Sequence, residues 1–393
     1  MHAHDQNTAQ LDWQALLNDC VDFTQRLIQT PSMSGEEGPV AALVAGELRR
    51  LAFDEVAVDD KGNVHGRIFG ADRKLPALVL NTHLDHVDPG DLSLWPQPPF
   101  AGVIVDGRII GRGACDIKGP LAVQVYAMAA LKRMGQQPRR DVVFSGVVQE
   151  EVGGAGALYW AEHVDYPVAL VVLGEPSETQ FALGHLGIVQ LWVTFPGRSV
   201  HASTPELGIN PNFALAHFLE ELPAAAASLA VHPMLGRTTI TPTIIEVDTK
   251  SANVIPAWAR VLLDIRTASE SKASLLAFIA DLAGDQPYYV TDAWQSEPTP
   301  LEADERIIFG YDTPAESALM QRARAAIGAG MGHEPQLISY HFATDGRVLA
   351  PFGMPIIGYA PGEAILAHTA GESIAIAQMA EALRGYVQLL LDF

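Results

Sequence analysis

The sequence predicts an α/β protein with two domains: a larger one whose sheet is covered by helices on both faces, and a smaller α+β unit of ferredoxin-like order inserted into it. Three observations predict it. The chain has 393 residues, too many for one ordinary core. Apolar strands alternate with helices up to about residue 183, and the pattern resumes after about 298. Between these limits the order changes to strand-helix-strand-strand-helix-strand.

Residues 12 to 29 carry Trp13, Leu16, Leu17, Cys20, Phe23 and Leu27 at helical spacing. "GPVAALVAGELRRLA" reads as a second helix. "LPALVLNT" reads as a buried strand, and "GPLAVQVYAMAALKRMG" as a helix stopped by Gly135. "RRDVVFSGVVQ" is a strand, "AGALYWAEH" a short helix and "YPVALVVLG" a strand. Strands this continuously apolar are buried on both faces. In the inserted part, "GIVQLWVTF", "RTTITPTIIEV", "WARVLLDIRT" and "PYYVTDAW" are strands, while "PNFALAHFLEEL" and "SKASLLAFIADLAG" are helices. The Pro-rich "SEPTPLEADE" reads as the return linker. "AESALMQRARAAIGAG", "PQLISY", "MPIIGYA" and a long C-terminal helix then complete the larger domain.

Composition excludes several classes. A formal net charge of −21 argues against nucleic acid and anionic membranes as partners. Two cysteines, Cys20 and Cys115, make no disulfide framework and fit a reducing compartment. The polar start "MHAHDQNTAQLDWQ" lacks the pattern of a signal peptide. No apolar run approaches the ~18 residues of a membrane span. The expectation is a soluble cytoplasmic protein.

Ligand-type residues follow the apolar strands. His83 and Asp85 come after "ALVL", Glu150 and Glu151 after "VVFSGVVQ", and Glu175 after "VALVVLG". His368 follows "MPIIGYAPGEAILA", and Asp116 stands at the start of the long helix, in "GRGACDIKGP". In open α/β sheets, sites form outside the carboxyl ends of the strands, so these residues should converge on one rim. A single Asp or Glu there is ordinarily a helix cap or a solvated loop residue, and a single His a surface residue. Their recurrence at successive strand ends is what favours a site. Histidines and carboxylates without cysteine suit zinc, cobalt or manganese. Carboxylates so close would raise one another's pKa, and two divalent ions resolve that conflict. One member of the Glu150–Glu151 pair then binds metal and the other is free to act as a base, with Gly153 and Gly154 letting the backbone leave the strand sharply. His86, His163, His217 and His232 read as structural.

The motifs "THLDHVD", "GRGACDIKGPLA", "QEEVGGAGA", "LGEPSE", "FPGRSVHASTPELGINP" and "PGEAILAHTAGE" resemble, in order, the di-zinc deacylases and exopeptidases that include acetylornithine deacetylase, succinyl-diaminopimelate desuccinylase and carboxypeptidase G. The resemblance implies a catalytic domain with a mixed sheet over 1–183 and 298–393, and a lid and dimerisation domain over 184–297. It implies His83, Asp116 and Glu175 as ligands of one ion, and Asp116, Glu151 and His368 as ligands of the other, with Asp116 bridging. Asp85 would orient His83, and Glu150 would be the general base. The peptide bond after Asp116 would be cis. His201 would steady the oxyanion from the lid of a homodimer, and Asn253 and Arg266 would hold the substrate carboxylate or the oxyanion. Bulky Tyr340, His341 and Phe342 replace the small residues common in the family near the substrate.

The expected activity is metal-dependent hydrolysis of the amide of a small N-acyl amino acid by a metal-activated water. A dipeptidase or carboxypeptidase is the alternative within the family, and a catalytically inactive metal- or ligand-binding protein the alternative of another class. The expected cofactor is two divalent ions per chain, zinc foremost, with cobalt and manganese as substitutes.

Overall fold

The computed structural model describes residues 11–293 and 310–393. The expected linker "SEPTPLEADE" lies outside them. The chain divides into two compact units. The first takes in the chain up to Gly184 with Thr313–Tyr340 and Thr344–Phe393; the second is His185–Asp312 with His341–Ala343.

The first unit is built on a mixed sheet. Its centre is four parallel strands, in the order Val142–Val147, Ala77–His83, Val168–Leu173 and Ile356–Gly358. Antiparallel strands extend both sides. Val64–Ile68 pairs with Val142–Val147, and Glu55–Val58 pairs with Val64–Ile68. At the other side Phe181–His185 pairs with Ile356–Gly358 and carries Leu337–Tyr340. Ala77–His83 and Val142–Val147 are buried along their whole length, as their unbroken apolar runs require.

The helix Gly119–Arg133 is buried over thirteen successive residues, Gly119 to Leu131, which matches a sequence apolar on every side. Pro120 opens it and Gly135, at φ +62°, closes it as the sequence predicts. The helix Trp13–Ile28 is capped by Asp12, whose carboxylate accepts the Ala15 N–H. The helix Gly38–Arg50 packs on the sheet face at Gly66, through Leu48. His65 and Arg67 point to the opposite face, where Arg67 stacks on Tyr166 just beyond the helix Ala155–His163. Helices therefore cover both faces.

The second unit is built on a sheet of four antiparallel strands in the order Thr239–Val247, Trp258–Arg266, Val189–Pro196 and Tyr289–Asp292. Numbered along the chain, this is 2-3-1-4, the ferredoxin-like order. Strict alternation in Trp258–Arg266 sends Ala259, Val261, Leu263 and Ile265 into one core. Leu215, Phe218 and Leu222 of the helix Pro211–Ser228 fill it with Leu275 and Ile279 of the helix Lys272–Ala283.

One expectation needs correction. The helix predicted to end at Leu222 runs on through Pro223 to Ser228, because the alanines after the proline continue it. The edge strand Glu55–Val58 and its neighbour Val64–Ile68 carry no clear sequence pattern, being short and only partly apolar.

One buried carboxylate clamps three helices of the first unit. Glu47 accepts from Tyr126 Oη at 2.6 Å and Arg50 Nη2 at 2.6 Å, and lies 3.1 Å from Arg26 Nη2. Burial opposes its charge, but these three donors draw its pKa from 4.5 down to about 2. Its stabilising contribution is therefore complete above about pH 4.5 and fades as pH falls toward 2. We predict that Glu47→Gln loses about 2 kcal/mol at pH 7 by urea denaturation. The gap between wild type and variant should close on acidification over that range. A gap that stayed constant would show that the charge on Glu47 contributes nothing.

Candidate metal centre

The four parallel strands run the same way, so their carboxyl ends share one rim. His83 is the last residue of its strand. Glu150 and Glu151 follow Val142–Val147, Glu175 follows Val168–Leu173, and His368 follows Ile356–Gly358 across a longer loop. Asp116 lies in the turn Ala114–Lys118 that leads into the long helix. Its dihedrals are non-helical and its peptide bond to Ile117 is cis.

These side chains meet. His83 Nε2 is 3.1 Å from Asp116 Oδ1 and 3.9 Å from Glu175 Oε1. His368 Nε2 is 3.1 Å from Asp116 Oδ2 and 3.1 Å from Glu151 Oε1. The two oxygens of Asp116 thus face two different imidazoles. Ligand atoms of His83, Asp116 and Glu151 lie within 4.8 Å of one another.

Asp85 organises the rim from beneath. It is fully buried and accepts Ser34 Oγ–H at 2.7 Å and the backbone N–H groups of Glu150 and Glu151 at 3.1 and 3.2 Å. Its Oδ1 is 3.4 Å from His83 Nδ1, and its backbone oxygen is 3.1 Å from the same nitrogen. That fixes His83 with Nε2 turned to the site.

Two site segments use left-handed backbone at non-glycine residues, Gln149 at φ +62° and His368 at φ +63°. Each costs about 1–2 kcal/mol. Gln149 is held by its N–H on Glu37 Oε1 and by its carbonyl on the Gly154 N–H. Gly154, at φ +76°, admits Asp345, whose Oδ1 would be 2.6 Å from any Cβ there.

The electrostatics are those of too many acids. Burial, and then Asp345, push Glu150 up to about 8, against the opposing charge of Arg347. Burial pushes Glu175 well above the usual carboxylate range, with Glu150 and Asp116 adding to it. Burial would lower the His83 imidazole, but hydrogen bonds to Asp116 and Asp85 hold it well above its usual value. Asp116 and Glu151 draw His368 up to about 10. The site draws in positive charge wherever it is offered. Imidazole and carboxylate donors spread around one bridging carboxylate fit divalent cations, which supply that charge while leaving the ring nitrogens free to bind.

Sequence reasoning missed several contributors. Arg347 Nη1 lies 3.4 Å from Glu150 Oε1, and its Nη2 donates to the Glu150 carbonyl at 3.2 Å. Ser34, Asp345, Arg112 and Glu372 are also part of this structure. Arg112 and Glu372 stand inside motifs already singled out, "GRGACD" and "AHTAGE". Tyr340 is buried, and its hydroxyl donates to the Glu175 carbonyl at 3.1 Å, so its ring supports a strand end. His341 falls in the second unit. His86 is buried and accepts the Ser32 N–H at 2.9 Å, a structural role. In the second unit, His201 Nε2 and Asn253 Nδ2 are 3.4 Å apart, and His201 Nδ1 meets Ser203 Oγ at 2.7 Å. Arg266 is paired with Asp264 at 2.9 Å.

A mixed sheet with this donor set at its carboxyl rim, together with a ferredoxin-like second unit, defines the class of di-metal hydrolases of amide bonds. Residues 79–392 match peptidase family M20/M25/M40, and the chain belongs to that family. It is 29% identical over 401 residues to a probable carboxypeptidase of Emericella nidulans, covering 93% of this chain and 87% of that protein. Its fold is similar to the aminopeptidase PepT from Bacillus cereus, at TM-score 0.75 and 18% identity over 97% of this chain and 99% of that one. It is similar too to the YXEP protein of Bacillus subtilis, a dinuclear metal-binding peptidase of family M20, at TM-score 0.68 and 15% identity over 96% and 98%. The chain is thus a metal-dependent hydrolase of peptide-type bonds. No helix among the described residues is long and apolar enough to cross a membrane.

Proposed function

We propose that this chain is a dinuclear metal exopeptidase of carboxypeptidase or dipeptidase type, acting on short peptides with a free carboxylate. The observation that carries the chemistry is Glu150: a buried carboxylate beside the proposed ligand Glu151, with its own Oε1 facing the Arg347 guanidinium at 3.4 Å and making no hydrogen bond. The relative in Emericella nidulans supports the exopeptidase reading over nearly the whole chain. N-acyl amino acids share the scissile amide and the carboxylate and form the comparison class.

Zinc suits the donors best, with cobalt or manganese as substitutes. Held by His83, Asp116 and Glu175 and by Asp116, Glu151 and His368, two ions would supply an acidified water and a polarised scissile carbonyl. Glu150 takes the proton of the attacking water on its carboxylate as the oxygen bonds to the carbonyl carbon. It returns that proton to the amine nitrogen as the carbon–nitrogen bond breaks. Arg347 holds the Glu150 carboxylate and backbone in place, and Asp85 keeps His83 oriented. His201 hydrogen-bonds the oxyanion of the tetrahedral intermediate, while Asn253 and Arg266 receive the substrate carboxylate.

The expected partner is a second copy of the chain through the ferredoxin-like unit, with cytoplasmic location. Support for the dimer comes from the strand Thr239–Val247, an edge strand with Ile244, Ile245 and Val247 exposed. His201 would then act in the partner's site.

Glu150→Gln should keep its metal content by elemental analysis and lose about 10²–10⁴-fold in turnover across a panel of dipeptides, N-acetyl and N-succinyl amino acids. In the wild type, dipeptides or carboxyl-terminal peptides should be cleaved faster than the N-acyl compounds; the reverse order would overturn the exopeptidase reading. Near-normal turnover in the variant would remove Glu150 from the chemistry.

Mixing His201→Ala chains with Glu150→Gln chains should restore activity in the mixed dimer, where one site has both residues intact. No recovery, with subunit exchange shown by mass spectrometry, would place His201 in its own chain's site.

A further inference from the structure

We propose that Glu372, backed by Arg112, is a positioning residue that sets the bridging carboxylate Asp116 for two metal ions. The inference rests on the reading of Asp116 as a shared ligand.

Asp116 is an awkward residue to hold. It lies in the turn just before the helix Gly119–Arg133, and its φ of −126° and ψ of 79° are not helical, nor are those of Ile117. The N–H groups of Cys115 and Asp116 need an acceptor in a place where Cys115 is fully buried. Glu372 Oε1 accepts both, each at 3.2 Å. Its Oε2 pairs with Arg112 Nη1 at 2.5 Å, and the two side chains are 0% and 2% exposed. The Arg112 guanidinium lies over the Trp95 ring, 5.2 Å from its centroid. Glu372 is also tied by its own backbone, whose carbonyl accepts the Gly111 N–H at 3.1 Å.

Both carboxylate oxygens are thus engaged by protein donors, so Glu372 is not itself available as a ligand. Its place in the chain gives it a second consequence. It follows His368 by four residues and precedes the strand Ser373–Ala375, which pairs with Arg108–Ile110. One side chain therefore joins the loop carrying His368 to the turn carrying Asp116. Those are the two residues whose side chains meet at 3.1 Å. An apolar pair of equal volume could replace a buried ion pair without loss of stability. It could not accept two N–H groups, so an acceptor oxygen at Glu372 is needed for the geometry of Asp116.

The test is a titration of metal-free protein with cobalt, read by calorimetry and by the visible absorption of the bound ion. Glu372→Gln puts an NH₂ group where either Arg112 or the two N–H groups require an acceptor. It should weaken cobalt about 10–100-fold and change the visible spectrum. The pair Arg112→Gln with Glu372→Gln restores acceptor and donor matching and should recover part of that loss. Wild-type affinity and spectrum in Glu372→Gln would overturn the proposal, even if the metal-free Tm fell, because that pattern is a purely structural role. So would a double variant no better than the single one. If Glu372→Gln does not fold, Arg112→Lys, which keeps the charge and loses the planar fork, takes its place in the titration; unchanged affinity there overturns the proposal. Asp116→Ala separates the two levels: if it retained both ions, the metal-site reading itself would fail.

Discussion

The structure at the rim depends on one constraint: carboxylates that repel one another are held together by the backbone. Asp85, Asp116, Glu150, Glu151 and Glu175 are all largely buried. Left to themselves they would separate or take up protons. They do not separate, because each is fixed where a strand ends or a helix starts, and because Asp85 binds the main chain of the Glu150–Glu151 pair. The site's own positive charge comes from Arg347 beside Glu150 and from His83 and His368, whose imidazoles are raised by the same contacts. Such an arrangement makes a strong cation site and is unfavourable without one.

The adjacent acids in "QEEVGG" have a physical explanation on these terms. The backbone turns through the left-handed Gln149 and the glycines that follow, so neighbouring side chains enter different surroundings. Glu151 meets His368. Glu150 stays buried beside Arg347 and Asp345, and burial pushes it up to about 8. Two carboxylates of the same chemistry thereby meet the different surroundings that the proposed roles of ligation and proton transfer require.

Much of this was legible in the sequence. Buried parallel strands announce themselves as unbroken apolar runs, and the residues just beyond them must share a rim. That placed His83, Glu150, Glu151, Glu175 and His368 together, and the helix-start motif added Asp116. The ferredoxin-like order followed from the strand and helix sequence alone. What was not legible was what the main chain recruits. Ser34, Arg112 and Glu372 are polar residues in loops and Arg347 stands in the one-turn helix Gly346–Leu349, and only the fold shows that they satisfy buried groups. The continuation of a helix through Pro223 and the short outer strands were lost for a different reason: local pattern is weak there and packing decides.

The central claim is that two divalent ions bind around Asp116. Anomalous diffraction from crystals grown with cobalt or zinc tests it most directly. The account predicts two peaks, both within coordination reach of Asp116, one also at His83 and Glu175 and the other at Glu151 and His368. A single peak, or ions bound elsewhere with Asp116 uncoordinated in protein that is active, would contradict it.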